Sequence, residues 1–193
     1  MIGMIARLKD LDPAPALAVL LLGAAPAVGD QAAECVAVKT QTYQLCAPYV
    51  VKAVSAMFGA THVNSEIDGA ATAFQVFLIP LAPRRKELPE DEVRRQEMHT
   101  AGEQRHFIFA SSGRGDDFDY EHLPDAMARG RITSRLFWES RMATPTKRMI
   151  DSFAVVDGHL LQVTTDCGAA KLRDECAVKN QIILDSIVFP GDA

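Results

Sequence analysis

The sequence lacks the signatures of several large functional classes. Its formal net charge is -5 at pH 7, whereas proteins that bind nucleic acids present a basic face or stripe. It has no H-E-x-x-H pair, no G-x-S-x-G nucleophile elbow and no glycine-rich loop in a recognisable βαβ unit. After Ala25 no apolar run is long enough to span a bilayer. We therefore expect no nucleic-acid partner, no cofactor and no membrane span in the mature chain.

A short apolar run close to the N-terminus is typical of a secretory signal peptide. Basic residues precede this run, which covers residues 16–25 and is too short to cross a bilayer as a helix. Ala25 and Ala27 fit an A-x-A-like cleavage site. The pattern predicts a signal peptide over residues 1–27 and a mature chain that begins near Val28. Acidic residues among the basic ones leave a buried or membrane-anchoring N-terminal helix as the alternative.

Four cysteines lie beyond this leader, and their even number is typical of oxidising compartments, where disulfides persist: Cys35, Cys46, Cys167 and Cys176. Three connectivities are open. Pairing of sequence neighbours, Cys35 with Cys46 and Cys167 with Cys176, is favoured because each bridge closes a short loop. Structural zinc sites need thiolates about two to four residues apart within a pair, and these spacings are wider. The sequence thus predicts two disulfides and a periplasmic or secreted location.

Apolar periodicity predicts a chain rich in strands. Strands are predicted over residues 34–45, 61–67, 72–79, 105–110, 131–142, 147–156, 159–165 and 186–189. Helices are predicted over residues 48–58, from near residue 89 to 105, and over residues 168–184. Residues 48–58 keep a strand as the rival interpretation because of their β-branched content. The dipeptides Asp68-Gly69 and Asp157-Gly158 predict tight hairpin turns.

These elements predict an α+β fold class. Helices flank an antiparallel sheet, and a C-terminal helix leads into a short final strand. Residues 28–193 contain no internal repeat or linker and are long enough to bury a core without help. We therefore predict a single α+β domain after the signal peptide.

The order of elements in the last third of the chain carries a family resemblance. The strand pair over residues 152–165 is followed by the predicted helix and then by Asp185-Ser186-Ile187-Val188-Phe189. This order resembles the PsbP-like and DcrB-like group of small proteins, in which an antiparallel sheet is sandwiched between helices. The resemblance implies that fold and an exported accessory character, and it implies no catalytic residues.

The densest cluster of carboxylates lies between residues 116 and 122. Oxygen ligands of this kind suit hard cations such as calcium, so the tentative ligand or metal-binding residues are Asp117, Asp119, Glu121 and His122. The spacing fails the EF-hand test, because His122 takes the position of the invariant glycine. An acidic loop exposed to solvent is the favoured interpretation.

The favoured function is that of an exported envelope accessory or binding protein without catalytic activity. Its contact surface for an envelope protein partner is predicted on the sheet face or within residues 84–115. The alternative is a small periplasmic hydrolase, with or without a metal, that uses the segment Asp116 to His122. It requires these side chains to converge on a concave pocket with a second histidine, for which the candidates are His62 and His106. A third hypothesis, a small-molecule carrier, requires an apolar cavity lined by residues such as Phe74, Phe107 and Trp138.

Intact mass before and after thiol alkylation tests the predicted compartment. We expect protein recovered from the periplasm or medium to have a mass that starts near Val28. Without a reductant it should take up no alkylating reagent, because all four cysteines are predicted to be oxidised. An uncleaved chain with free thiols would contradict both export and the two disulfides.

Overall fold

An antiparallel sheet of seven strands is the largest element of the protein. The computed structural model describes residues 35–37, 42–46, 48–57, 59–141, 146–168, 172–190 and 192. The signal peptide predicted for residues 1–27 lies outside the described residues. The described residues belong to one compact unit, Ala32–Ala193.

The described elements follow one another in an order dominated by hairpins. The strands are β1 (Cys35–Ala37), β2 (Gln44–Cys46), β3 (Val50–Met57), β4 (Ala60–Ile67), β5 (Ala70–Pro80), β6 (Phe118–Ala128), β7 (Arg131–Ser140), β8 (Lys147–Val156), β9 (His159–Asp166) and β10 (Ile187–Val188). The helices are α1 (Pro83–Lys86), α2 (Glu90–Ser111) and α3 (Arg173–Ser186), with a 3-10 turn at Gly115–Asp117. The large sheet has the order β3-β4-β5-β9-β8-β7-β6, and a small sheet has the order β1-β2-β10.

Three of the hairpin turns place a residue in the left-handed region directly before a glycine. The positive φ angles are 51° at Asp68, 47° at Asp157 and 45° at Arg129. This geometry is that of two-residue turns whose twist matches the twist of the strands. The turns predicted at Asp68-Gly69 and Asp157-Gly158 are therefore confirmed. The third turn was missed, because arginine is not a residue type that predicts a left-handed conformation.

Helices cover the sheet only in part. Helix α2 contacts β6, β7 and β8 on one face of the sheet, which we name the front face. Helix α3 contacts β6, β8 and β9 on the opposite, back face. Antiparallel sheets tolerate such partial cover because one of their faces can meet water. The α+β sheet predicted from the sequence is thus present, with its C-terminal helix and short final strand, but the predicted flanking by helices is incomplete.

Apolar clusters fill the space between the sheet and each helix. On the back face, the buried side chains include Phe74, Val76, Val163, Ile183 and Ile187. On the front face, they include Val93, Met98, Leu136, Phe153 and Leu160. Each fully buried aliphatic or aromatic side chain contributes about 1.5–3 kcal/mol to stability. No helix in the described part of the chain is both long and apolar enough to cross a membrane.

The cysteines pair as the sequence predicted. Cys35 bonds to Cys46 between neighbouring strands of the small sheet, and Cys167 bonds to Cys176. The second bridge ties the end of β9 to α3 and is itself buried in an apolar cluster with Leu123, Phe137 and Ile150. All four cysteines are therefore paired in disulfides, and Cys46, Cys167 and Cys176 are also buried.

Two predicted elements are wrong. The helix predicted over residues 48–58 is strand β3, so the rival interpretation was right; its valines favour a strand, and β4 provides the pairing partner. The strand predicted over residues 105–110 forms the last turns of α2. A short apolar run fits either type of element, and contacts distant in sequence decide between them. The first strand, predicted over residues 34–45, is present as the two short strands β1 and β2.

The acidic loop predicted around residues 116–122 is also wrong, because most of this segment is strand β6. Phe118 is buried and Tyr120 is half-buried, while Asp119 and Glu121 alternate with them onto the other face and are exposed. The sequence therefore does contain the alternation of aromatic and acidic residues that is typical of a strand. The high density of carboxylates favoured the interpretation as a loop instead.

Replacement of Gly168 by alanine tests how closely the chain at this residue approaches Ala71 of β5. The φ of Gly168 is +56°, and a Cβ atom there would lie 2.2 Å from the carbonyl oxygen of Ala71. We expect Gly168→Ala to lower the free energy of unfolding by more than about 2 kcal/mol, because a clash adds to the left-handed cost of about 1–2 kcal/mol.

Gly69→Ala is the matched control. Gly69 has a φ of +74°, and a methyl group on its Cα would meet no other part of the chain within 4 Å, so only the backbone cost is expected. Urea denaturation of both variants measures the difference. Equal losses at the two positions would contradict the close approach of Gly168 to β5.

Candidate functional site

The predicted ligand residues of β6 do not converge. Asp119 forms an ion pair with Arg141, and Glu121 forms one with Arg173 at 3.0 Å. His122 projects to the opposite face of the strand, where its ring lies 6.5 Å from that of Tyr120. For Asp117 the contact is made by the backbone, whose carbonyl oxygen accepts a hydrogen bond from the amide of Arg141 at 2.9 Å.

The second histidine required by the hydrolase alternative is not positioned to complete a site. His106 lies near Tyr120, with ring centroids 6.4 Å apart, but His106 and His122 are both exposed. His62 is on β4, which is separated from β6 by four strands of the sheet. Among the described residues no group of three or more His, Cys, Asp or Glu side chains could hold a metal ion. Metal binding by Asp117, Asp119, Glu121 and His122 stays a prediction that these contacts do not favour.

A buried carboxylate on β8 organises the front face. Asp151 is 0% exposed and accepts hydrogen bonds from three side chains. The donors are Arg105 Nε at 2.8 Å, Trp138 Nε1 at 3.0 Å and Thr164 Oγ1 at 2.6 Å. Because burying an ion without partners is very costly, this full set of donors is what allows a carboxylate there.

Arg105 connects this carboxylate to helix α2. Its guanidinium carbon lies 4.5 Å from the centroid of the Trp138 ring, in addition to its ion pair with Asp151. The Arg105 side chain is 29% exposed, whereas its partner Asp151 is fully buried. A planar guanidinium suits such a site because it can stack on an aromatic ring and bind a carboxylate together. The cluster therefore fixes the last third of α2 to strands β7, β8 and β9.

A second contact holds the helix one turn further on. Phe109 stacks on Phe118 at the start of β6, with ring centroids 4.5 Å apart and an interplanar angle of 12°. Beyond it, Ser111 Oγ donates to the carbonyl oxygen of Ile108, and Ser112 Oγ donates to that of Phe109. These bonds satisfy carbonyl groups that a helix end otherwise leaves without a partner. The C-terminal end of α2 is thus anchored as well as capped.

Between these two anchors, α2 exposes an apolar pair. Phe107 is 71% exposed and Ile108 is 63% exposed. We name this pair the α2 tip. No pattern in the sequence indicated it, because residues 105–110 were predicted to be a strand. Phe107 therefore does not line the cavity that the carrier hypothesis required, and Phe74 and Trp138 pack in clusters on opposite faces of the sheet.

A hollow lies at the end of the sheet where the β6–β7 and β8–β9 turns meet. Its volume is about 600 Å³, and its lining includes Arg129, Arg131, Asp157, Phe189 and Asp192. It is an open, polar depression rather than the closed apolar cavity typical of carriers.

Both arginines of this hollow are used by the chain itself. Arg131 pairs with Asp192 and donates to the carbonyl oxygen of Ile187 at 3.0 Å, while Arg129 Nε donates to the carbonyl oxygen of Asp185 at 2.6 Å. Burial opposes ionisation of Asp192, but the hydrogen bonds from Arg131 and from the Phe189 amide, with the arginine charges, lower the pKa of this carboxyl below its usual value. The arginines therefore hold the end of α3 and the residues after it.

Comparisons with known proteins find similarity among solved structures. No protein-family model matches the chain, and no curated protein matches it. The chain is similar to the solution structure of cyanobacterial PsbP (CyanoP) from Synechocystis sp. PCC 6803, with 15% sequence identity and a TM-score of 0.47. The match covers 88% of this chain and 99% of the cyanobacterial one. Neither a family nor a function is taken from this similarity.

Replacement of Asp151 tests the buried cluster. We expect Asp151→Asn to lower the free energy of unfolding by about 2–4 kcal/mol, because Arg105 and Trp138 lose a charged acceptor that is fully buried. Glu97→Gln is the matched control, since it makes the same kind of change in the partly exposed pair of Glu97 with Arg85. The control should cost about 0–1 kcal/mol. Similar losses in urea denaturation would contradict the role assigned to Asp151.

Proposed function

We propose that the protein is a non-catalytic accessory protein that acts in an oxidising compartment outside the cytoplasm and binds another protein through the α2 tip. The observation that carries the proposal is the exposure of Phe107 and Ile108 on a helix end that is anchored on both sides. The partner is a protein of the same compartment that offers an apolar pocket.

The exposure of the tip is not explained by a loose helix end. Arg105 is bound to the buried carboxylate of Asp151, and Phe109 is stacked on Phe118. The residues between these anchors therefore keep their direction when the partner is absent. A side chain that is already held in its bound position loses less conformational entropy on binding, which favours association.

The chemistry of the tip suits a protein partner. Aromatic side chains in the centre of an interface often contribute most of the binding energy, especially when an apolar pocket removes them from water. An exposed phenylalanine beside an exposed isoleucine has no such cover within the described part of this chain. Burying both side chains against a partner would contribute about 1.5–3 kcal/mol for each.

The location of the protein is supported by its covalent chemistry. The structure has the two disulfides Cys35–Cys46 and Cys167–Cys176, and such bridges persist in the periplasm or outside the cell. The leader predicted over residues 1–27 leads to the same compartment. A periplasmic or secreted location is therefore part of the proposal.

The hydrolase alternative receives no comparable support. Its carboxylates at Asp119 and Glu121 are paired with arginines, and its histidine lies on the other face of β6. Catalytic groups have to surround one reacting atom within hydrogen-bonding reach. The contacts of this segment instead suit a role in holding neighbouring elements.

Site-specific photocrosslinking tests the proposed docking surface. A photoreactive phenylalanine analogue at Phe107 of the full chain should give one defined adduct with a second protein in the producing cells. The same analogue at Val178, which is 58% exposed on α3, is the control for general exposure and should not give that adduct. Adducts of equal yield at the two positions, or only between two copies of this chain, would contradict the proposal.

Binding of the crosslinked partner, once purified, gives the quantitative test. The double variant Phe107→Ser, Ile108→Ser should bind at least about tenfold more weakly, because the apolar contact is lost. Val178→Ser should bind with unchanged affinity. Both variants should keep their free energy of unfolding to within about 0.5 kcal/mol, because these side chains are exposed.

A further inference from the structure

We propose that the outer edge of β3 pairs with β3 of a second copy of this chain, which joins the two seven-stranded sheets about a two-fold axis. Strand β3 stands at one end of the strand order, and no described strand pairs with its outer side. An edge of this kind presents backbone N–H and C=O groups that are ready to bind another strand. This surface is separate from the α2 tip, which lies on the helix that covers β6 to β8.

The side chains of β3 are open to solvent on both faces of the sheet. Residues 52–56 are all exposed, and they include Val54, which is 39% exposed. Val50, at the start of the strand, is 56% exposed. A neighbouring strand would cover these valines and would also bind the outer backbone groups, which pair with no strand in the described part of the chain.

The regular part of this edge lacks the features by which proteins normally prevent pairing, because those features are confined to the start of the strand. The segment from Ala53 to Met57 pairs in regular register with β4 and contains no charge and no proline. The one charged residue of the strand, Lys52, lies at the irregularity between Val51 and Ala53. Its Nζ atom forms an exposed ion pair with Glu66 of β4 at 3.1 Å, so this charge and the irregularity protect only the start of the strand. Exposed charges, prolines and bulges are the usual protection of edge strands.

The opposite edge of the sheet shows that protection clearly. Strand β6 carries Pro124 and Asp125 within a register shift between Leu123 and Ala126. The carbonyl oxygen of Pro124 accepts two hydrogen bonds from the guanidinium of Arg135, at 2.9 and 3.1 Å. Proline and a bulge both interrupt a ladder of hydrogen bonds. The β3 edge, whose irregularity lies near the start of the strand, is therefore better suited to pairing than the β6 edge, which is interrupted in its middle.

A second copy of the chain can pair with this edge about a two-fold axis. Two identical strands related by a two-fold axis pair antiparallel, and every contact then occurs twice. A register centred on Ser55 places Val54 opposite Ala56 of the other copy and keeps the two Lys52 side chains at opposite ends of the paired segment. The residues nearest the axis are small and uncharged, so the two sheets can approach without like charges facing each other.

Sedimentation of the purified full chain over a range of concentrations tests the proposal. The wild-type chain should show a reversible equilibrium between monomer and dimer. Ser55→Lys should weaken the dimer at least about tenfold, because a lysine at the axis faces its own copy in the partner. Asn64→Lys is the matched control: it adds the same charge at an exposed position one strand inward, and it should leave the equilibrium unchanged.

Two further results distinguish this inference from the proposed function. The double variant Phe107→Ser, Ile108→Ser should dimerise like the wild-type chain, since its changes lie on α2. Amides of residues 53–57 should exchange with solvent more slowly at high protein concentration. A chain that stays monomeric, equal effects of Ser55→Lys and Asn64→Lys, or loss of the dimer in the Phe107 variant would each overturn the proposal.

Discussion

The buried carboxylate of Asp151 is the interaction on which the arrangement of the front face depends. It is held by groups from α2, β7 and β9 through Arg105, Trp138 and Thr164. Packing of apolar side chains lets a helix slide or rotate at small cost, whereas a buried ion pair with additional hydrogen bonds has one satisfactory geometry. The position of α2 on the sheet is therefore set by polar contacts, and the apolar cluster around Val93 and Met98 fills the remaining space.

The surfaces left open follow from this arrangement. Because α2 lies over β6 to β8, none of the three described helices packs extensively on the front face of the strands from β3 to β5. The rigid end of the helix displays Phe107 and Ile108, while the far edge of the sheet displays β3. On the back face, α3 is bonded to β9 through the Cys167–Cys176 disulfide. The molecule is thus well fixed internally, and the α2 tip and the β3 edge are two of the places where it exposes apolar groups, which is consistent with the proposed binding of other proteins.

The predictable features were those decided by neighbours in sequence. Glycine after aspartate determined two hairpin turns, and the short separation of the cysteines indicated their pairing. The wrong assignments at residues 48–58 and 105–110 concern short apolar runs, for which periodicity alone does not separate helix from strand. Arg105 and Asp151 are 46 residues apart. A lone aspartate in the apolar strand β8 was the available signal for that cluster, since acidic side chains are seldom buried without a partner, but the sequence did not identify the partner.

Native-state hydrogen exchange of the free protein tests the central claim, that the α2 tip is held rigid by its anchors. The amides of Gln104 to Ala110 lie in the last turns of α2, on both sides of the exposed pair. We predict that they exchange only through openings nearly as costly as global unfolding. Exchange at the rate of a fraying helix end, with protection only in the first half of α2, would contradict this claim, since the tip would then be a loose end rather than a preformed docking surface.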